Sequence, residues 1–218
     1  MDKQESLSPP GPPPLTLSDR VRRITDGPMA RLGAAVHRAG VHPDAITVAG
    51  LVMVGVAAVA IGRGQLQLGG VILLLSFPLD ALDGAVARAM QRQGKFGEVL
   101  DSALDRYADG FIFAALSYYL ATHDQPDIML LALAAMMGSF VISYIRARAG
   151  EVDVKMKTGL FTRFERVIAL LVILLIPALL VPGLWVLAIG TNFTALQRLW
   201  VAYRVLNERE REKTGRDQ

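Results

Sequence analysis

The sequence has no cysteine among its 218 residues, and only 20% of them are charged. The first absence excludes a disulfide-stapled secreted scaffold and any thiolate metal site. The scarce charge is also missing from long runs. Residues 45–62 and 128–145 contain no Asp, Glu, Lys or Arg, and 31 consecutive positions without one separate Arg166 from Arg198. A bilayer is crossed by about 20 residues of helix, whereas a soluble helix of that length needs a polar face. With 52% hydrophobic residues and a mean hydropathy of +0.38, these runs point to a membrane protein. Met1–Pro14 holds no apolar segment, so no signal peptide is expected. There is no internal repeat to support an inverted-repeat transporter.

The charges that are present are ordered. The net charge of +3 could suggest nucleic acid, but placement argues for a membrane instead. Of 23 basic residues, six precede residue 45, four lie in 88–106, six in 146–166 and six in 198–216, leaving only Arg63. Apolar segments alternate with these four clusters, as the positive-inside rule requires for an even number of spans. The expected fold is an all-α integral membrane protein. Its six spans lie near 45–62, 67–90, 98–121, 128–148, 160–181 and 184–205, with both termini cytoplasmic and a turn at Val181–Pro182–Gly183. Residues 1–16 are expected to be a disordered proline-rich tail and 207–218 a disordered charged tail. Residues 17–40 are read as an amphipathic juxtamembrane helix, its arginines drawn to anionic lipid; the membrane domain is then 41–206.

Two spans carry acids. The second is apolar to Pro78 and then holds Asp80 and Asp83; the third begins with Asp101, Asp105 and Asp109 and turns apolar from Phe111. An intramembrane carboxylate costs about 3 kcal/mol on insertion scales, so a cluster must be solvated, paired or bound to metal. Positions 80 and 83 are i,i+3 and 101 and 105 are i,i+4, so each pair shares a helix face, and an antiparallel hairpin lets the faces meet. Oxygen donors without His or Cys suit Mg²⁺ or Mn²⁺, and four carboxylates could hold two ions. Gly84, Ala87 and Gly97 line the acids with small side chains, which permits either close helix packing or the approach of a flat base or phosphate.

The stretch Asp80-x-x-Asp83-Gly84-x-x-Ala87-Arg88, eight residues, then Gly97-x-x-x-Asp101-x-x-x-Asp105 resembles the signature of the CDP-alcohol phosphotransferases. These membrane enzymes move a substituted phosphate from a CDP-linked donor to an alcohol and release CMP. The resemblance implies six transmembrane helices, a cytoplasmic-side site, two metal ions and a homodimer. By matching position it makes Asp80, Asp83 and Asp101 metal ligands and Asp105 the general base, also touching metal. It sets Gly84, Ala87, Arg88 and Gly97 beside the cytidine diphosphate. Asp44 and Thr47 resemble the family's N-terminal donor-contact element, although Asp44 would also serve as an N-cap.

The signature does not choose the alcohol. Asp105-Arg106, Ser143-Tyr144-Ile145-Arg146, Gly159 to Arg166 and Gln197-Arg198 resemble the bacterial phosphatidylinositol-phosphate synthase branch. That resemblance implies CDP-diacylglycerol as donor and inositol phosphate as acceptor, with Ser143, Arg146, Arg163, Arg166 and Arg198 at the acceptor phosphate. Arginines at three helix ends can converge on one dianion, while positive-inside topology alone would also put them there. Arg146, Phe164 and Gly94 depart from that branch's usual Lys, Pro and hydroxyl residue. Glycerol 3-phosphate or another anionic alcohol is the alternative acceptor, and a cation transporter using the acids as an ion path is the rival from another class. No aromatic cluster beside the motif favours a choline-type acceptor. The absence of eukaryotic targeting signals suggests a prokaryotic plasma membrane.

Overall fold

The computed structural model describes residues 17–90, 95–154, 156 and 159–214; within them the side chains of 17–26, 80, 81, 87–89, 95 and 213 lie outside the description. The chain forms α1 (Leu17–Arg38), α2 (Pro43–Gly62), α3 (Leu66–Ala89), α4 (Lys95–Thr122), α5 (Pro126–Glu151), α6 (Arg163–Leu175) and α7 (Leu180–Thr214). There is no strand among the described residues.

Local chemistry sets the breaks. Pro43 and Pro126 sit in the first turns of α2 and α5, where the missing N–H removes no helical hydrogen bond. Gly64, at φ +83°, turns the chain between α2 and α3 in a conformation a side chain would resist. Asp44 falls inside the first turn of α2, and His42 occupies the cap position, so the N-cap expectation for Asp44 is corrected.

Helix α2 packs against α3 and α4, and α5 packs along α7. The α5–α7 seam is close because Gly138 leaves room for Thr191: a Cβ there would collide with the threonine side chain. Asn192 Nδ2 donates to the Ala134 carbonyl at 2.9 Å across the same seam. Small residues and interhelical hydrogen bonds are what draw helices together in lipid. The core gathers Ile112, Phe113, Leu116 and Leu120 of α4 with Ile173, Leu174, Leu184 and Leu187. Large apolar side chains such as Val52, Val56, Leu75, Leu196 and Trp200 remain exposed on the outside, the surface a protein in lipid presents.

Among the described residues, four stretches are long and apolar enough to cross a membrane: Pro43–Gly62, Leu66–Val86, Pro126–Glu151 and Pro177–Glu212. Helix α4 carries too much charge in its first half, and α6 has only 13 residues. The 160–181 span is thus interrupted: the chain breaks at Ile176 and passes through a 3₁₀ turn, Pro177–Leu179, into α7.

The expected turn at Val181–Pro182–Gly183 is helical instead. Pro182 lies in the first turn of α7, where proline is tolerated. Gly183 is needed for proximity, since a Cβ there would meet Ile173 Cγ2. The C-terminal stretch expected to be disordered from 207 is likewise helical through Thr214. Its Glu and Arg residues are good helix formers, Arg204 pairs with Glu208 at 3.6 Å, and Arg209 donates to the Val152 and Asp153 carbonyls. Residues 1–16 of the N-terminal tail lie outside the described residues. The segment Leu17–Arg38 is helical and packs against α3.

Candidate active site

The acids enter the fold where α2, α3, α4 and α6 meet. Asp83 is 8% exposed. Its Oδ2 accepts from Thr47 Oγ1 at 2.8 Å and its Oδ1 from the Gly84 N–H at 2.5 Å. Thr47 Oγ1 also lies 3.1 Å from the Pro43 carbonyl one turn back, and α2 and the Asp83–Gly84 step of α3 together fix this carboxylate's orientation. Asp44 sits 3.4 Å from His42 and beside Gly97, where an added Cβ would lie 3.8 Å from Asp44 Oδ1. The N-terminal element thus meets both halves of the acid motif.

Helix α4 starts at Lys95 and carries Asp101, Asp105 and Asp109 on successive turns of one face. Each of the last two meets an arginine of α6. Asp105 Oδ1 lies 2.5 Å from Arg163 Nη2, and Asp109 Oδ2 lies 3.2 Å from Arg166 Nη2. Asp109 Oδ2 also accepts from Ser139 Oγ of α5 at 2.5 Å. Between α2, α3, α4 and α6 lies a cavity of about 80 Å³. Thr47, Ser76, Asp83, Asp105, Asp109 and Arg163 form its polar lining, and Leu51, Val54, Phe77 and Ile112 belong to its apolar wall.

A second feature adjoins it. Arg198 of α7, 5% exposed, donates to the Ile142 carbonyl at 3.1 Å and lies against Gly159, whose missing side chain makes room for its guanidinium. The charges of Arg146 and Arg166 act on Arg198, and those of Arg163 and Arg106 act on Arg166. Ser143 accepts from Arg106 Nη2 at 3.1 Å and donates to the Ser139 carbonyl. Five arginines from four helices therefore gather within electrostatic reach, Arg166 only 3% exposed and Arg146 on the surface.

The structure thus brings Asp44, Thr47, Asp83, Gly84, Gly97 and Asp105 to one region, and Ser143, Arg146, Arg163, Arg166 and Arg198 to an adjoining one. The side chains of Asp80, Ala87 and Arg88 lie outside the described residues. Among the described residues no three His, Asp or Glu side chains converge as a metal cage. The donors still fit a hard divalent cation: Asp83, Asp101 and Asp105 offer only oxygen, and Asp83 is oriented by two hydrogen bonds as ligating carboxylates are. Sequence reasoning misses Asp109, Ser139 and Arg106 as site residues. The signal for Asp109 is present, one further helical turn beyond Asp105; Ser139 is a lone serine in an apolar helix and gives none.

The chain is similar to known proteins in sequence and in fold. Residues 40–200 match the model of the CDP-alcohol phosphatidyltransferase family. The chain is 39% identical over 171 residues to a phosphatidylinositol phosphate synthase of Corynebacterium glutamicum, covering 74% of this chain and 78% of that one. It is 35% identical over 175 residues to the enzyme of the same name from Mycolicibacterium smegmatis, covering 76% and 79%. Its structure resembles the crystal structure of Mycobacterium tuberculosis phosphatidylinositol phosphate synthase with CDP-DAG bound, with a TM-score of 0.76, 30% identity and coverage of 80% and 93%. The same protein in complex with manganese and citrate gives a TM-score of 0.75 at 31% identity, covering 80% and 88%.

Proposed function

The chain belongs to the CDP-alcohol phosphatidyltransferase family, and from that premise we propose that it transfers the phosphatidyl group of CDP-diacylglycerol to myo-inositol phosphate, giving phosphatidylinositol phosphate and CMP. The reaction class is that of phospholipid synthesis, and the apolar helices and bacterial relatives make the chain an integral membrane protein of bacteria. The observation that carries the acceptor is the convergence of Arg146, Arg166 and Arg198 from α5, α6 and α7 beside the acid-lined cavity. Arginine forks match a phosphate dianion.

In this reading Asp105 takes the proton of an inositol hydroxyl as that oxygen attacks the phosphorus bearing diacylglycerol. The bond from that phosphorus to the bridging oxygen breaks, and CMP departs with the oxygen and its electron pair. A positioned carboxylate base contributes about 10²–10⁴-fold to such a step. Thr47 and the Gly84 N–H hold Asp83 in place, while Arg163 aligns Asp105. Asp80, Asp83, Asp101 and Asp105 would hold the divalent cations, Mg²⁺ or Mn²⁺ and two in number, whose charge offsets that of the diphosphate. Asp44, Thr47, Gly84, Ala87, Arg88 and Gly97 would border the donor nucleotide, and Ser143 and Arg163 would join the three arginines at the acceptor phosphate. Six membrane crossings, cytoplasmic termini and a homodimer complete the proposal; α4 and α6 would cross as members of the bundle, their polar ends at the cytoplasmic face.

Radiolabelled CDP-diacylglycerol offered separately to inositol phosphate and glycerol 3-phosphate tests the acceptor. Labelled phosphatidylinositol phosphate is the expected product; labelled phosphatidylglycerol phosphate alone would replace this acceptor with the other.

A further inference from the structure

Helices α4 and α6 are joined by two stacked ion pairs. Asp105 and Asp109 are four residues apart on α4, Arg163 and Arg166 three apart on α6, so the pairs form successive rungs along one seam. The rungs differ. Arg163 is 41% exposed in its side chain, whereas Arg166 is 3% and Asp109 12%. The inner rung is also tied to a third helix, because Ser139 of α5, fully buried, donates to the oxygen that meets Arg166. Helix α6 packs against α3 and α7 and, among the described residues, has no comparable backbone contact with α4. The register between Asp105 and Arg163 is therefore set by side chains, and the buried rung is the one held from three sides.

We infer that Asp109 is a positioning residue for transfer: by holding Arg166 it fixes the first turn of α6 and thereby sets Arg163 against the Asp105 carboxylate. Asp109 touches neither the reacting hydroxyl nor the phosphorus in this scheme; its effect on kcat passes through Arg163, whereas a change at Arg166 itself, its direct partner, falls on the acceptor KM. Without its charge, Arg166 is a buried cation with no carboxylate on its own rung, and the first turn of α6 shifts with it. A displacement of about 1 Å at a reacting group lowers turnover about 10²-fold.

The inference rests on Asp105 acting as the base, so the experiment includes that variant. CMP release at saturating substrates is measured for wild type, Asp105→Asn, Asp109→Asn, Arg163→Gln and the Asp109→Asn/Arg163→Gln double variant, each checked for CDP-diacylglycerol binding and thermal melting in detergent. Asp109→Asn is expected to lower kcat about 10²-fold with the donor KM unchanged. It is expected to add no further loss in the Arg163→Gln background, the non-additivity of residues acting through one another. Multiplicative losses, or an unchanged kcat, overturn the inference. If Asp109→Asn does not fold, Ser139→Ala takes its place in the cycle, with a loss of a few-fold expected in wild type and none beside Arg163→Gln; additive losses again overturn it. Turnover retained by Asp105→Asn would instead remove the base assignment itself.

Discussion

The two halves of α4 present one stripe with two chemistries. Asp101, Asp105 and Asp109 occupy successive turns of the first half, and Ile112, Leu116 and Leu120 continue the same face in the second. The second-half residues are at most 2% exposed and lie in the core; from Gly110 to Thr122 there is no Asp, Glu, Lys or Arg. Helix α3 repeats the pattern in reverse, uncharged from Leu66 to Leu79 and acidic after it. The inward face of α4 is thus constant, and only its side chains change along it. The apolar half is a scaffold that closes the far side of the site, and the acidic half is where a polar substrate can be met. A cation path would need polar groups to continue through the apolar half, and the charges stop.

The acidic and apolar halves can be perturbed separately. The largest effect is expected from chelation: removing divalent cations abolishes CMP release and returning Mg²⁺ or Mn²⁺ restores it, while circular dichroism shows the helices unchanged. Phe113→Ala attacks the apolar half instead. It is expected to lower stability by about 3 kcal/mol, the low end for a buried phenylalanine because the unfolded helix remains in lipid. Denaturation in mixed micelles measures this, and kcat per folded molecule is expected to stay near wild type. Thr47→Ala removes the donor to Asp83 Oδ2; a hydrogen bond to a charged group contributes about 1.5 kcal/mol or more, so kcat falls about 10-fold with the fold intact. The smallest effect is that of Arg209→Ala, far from both halves. Loss of its bonds to the Val152 and Asp153 carbonyls lowers stability by about 1 kcal/mol, read from a melting curve, and leaves turnover alone.

What is legible in the sequence follows helical periodicity. The spacing 101–105–109 puts three acids on one face wherever α4 packs, and the charge-free runs mark α2, α3, α5 and most of α7 by composition alone. The pairing of that face with α6 is hidden. Asp109 and Arg166 are 57 positions apart in the chain, and no local pattern tells which arginine meets which acid. The α6–α7 junction is misplaced by composition, because Pro182–Gly183 reads as a turn. Pro177 makes the break, and the glycine serves packing against Ile173. The 207–214 stretch reads as disordered because nothing in it is apolar; its anchor is the pair of carbonyls at the end of α5.

The claim that the acidic half of α4 performs the chemistry is tested most directly by single-turnover CMP release from purified Asp105→Asn enzyme with CDP-diacylglycerol and inositol phosphate. A fall of about 10³-fold is expected, with melting and donor binding close to wild type. Turnover within a few-fold of wild type in that folded variant would contradict it.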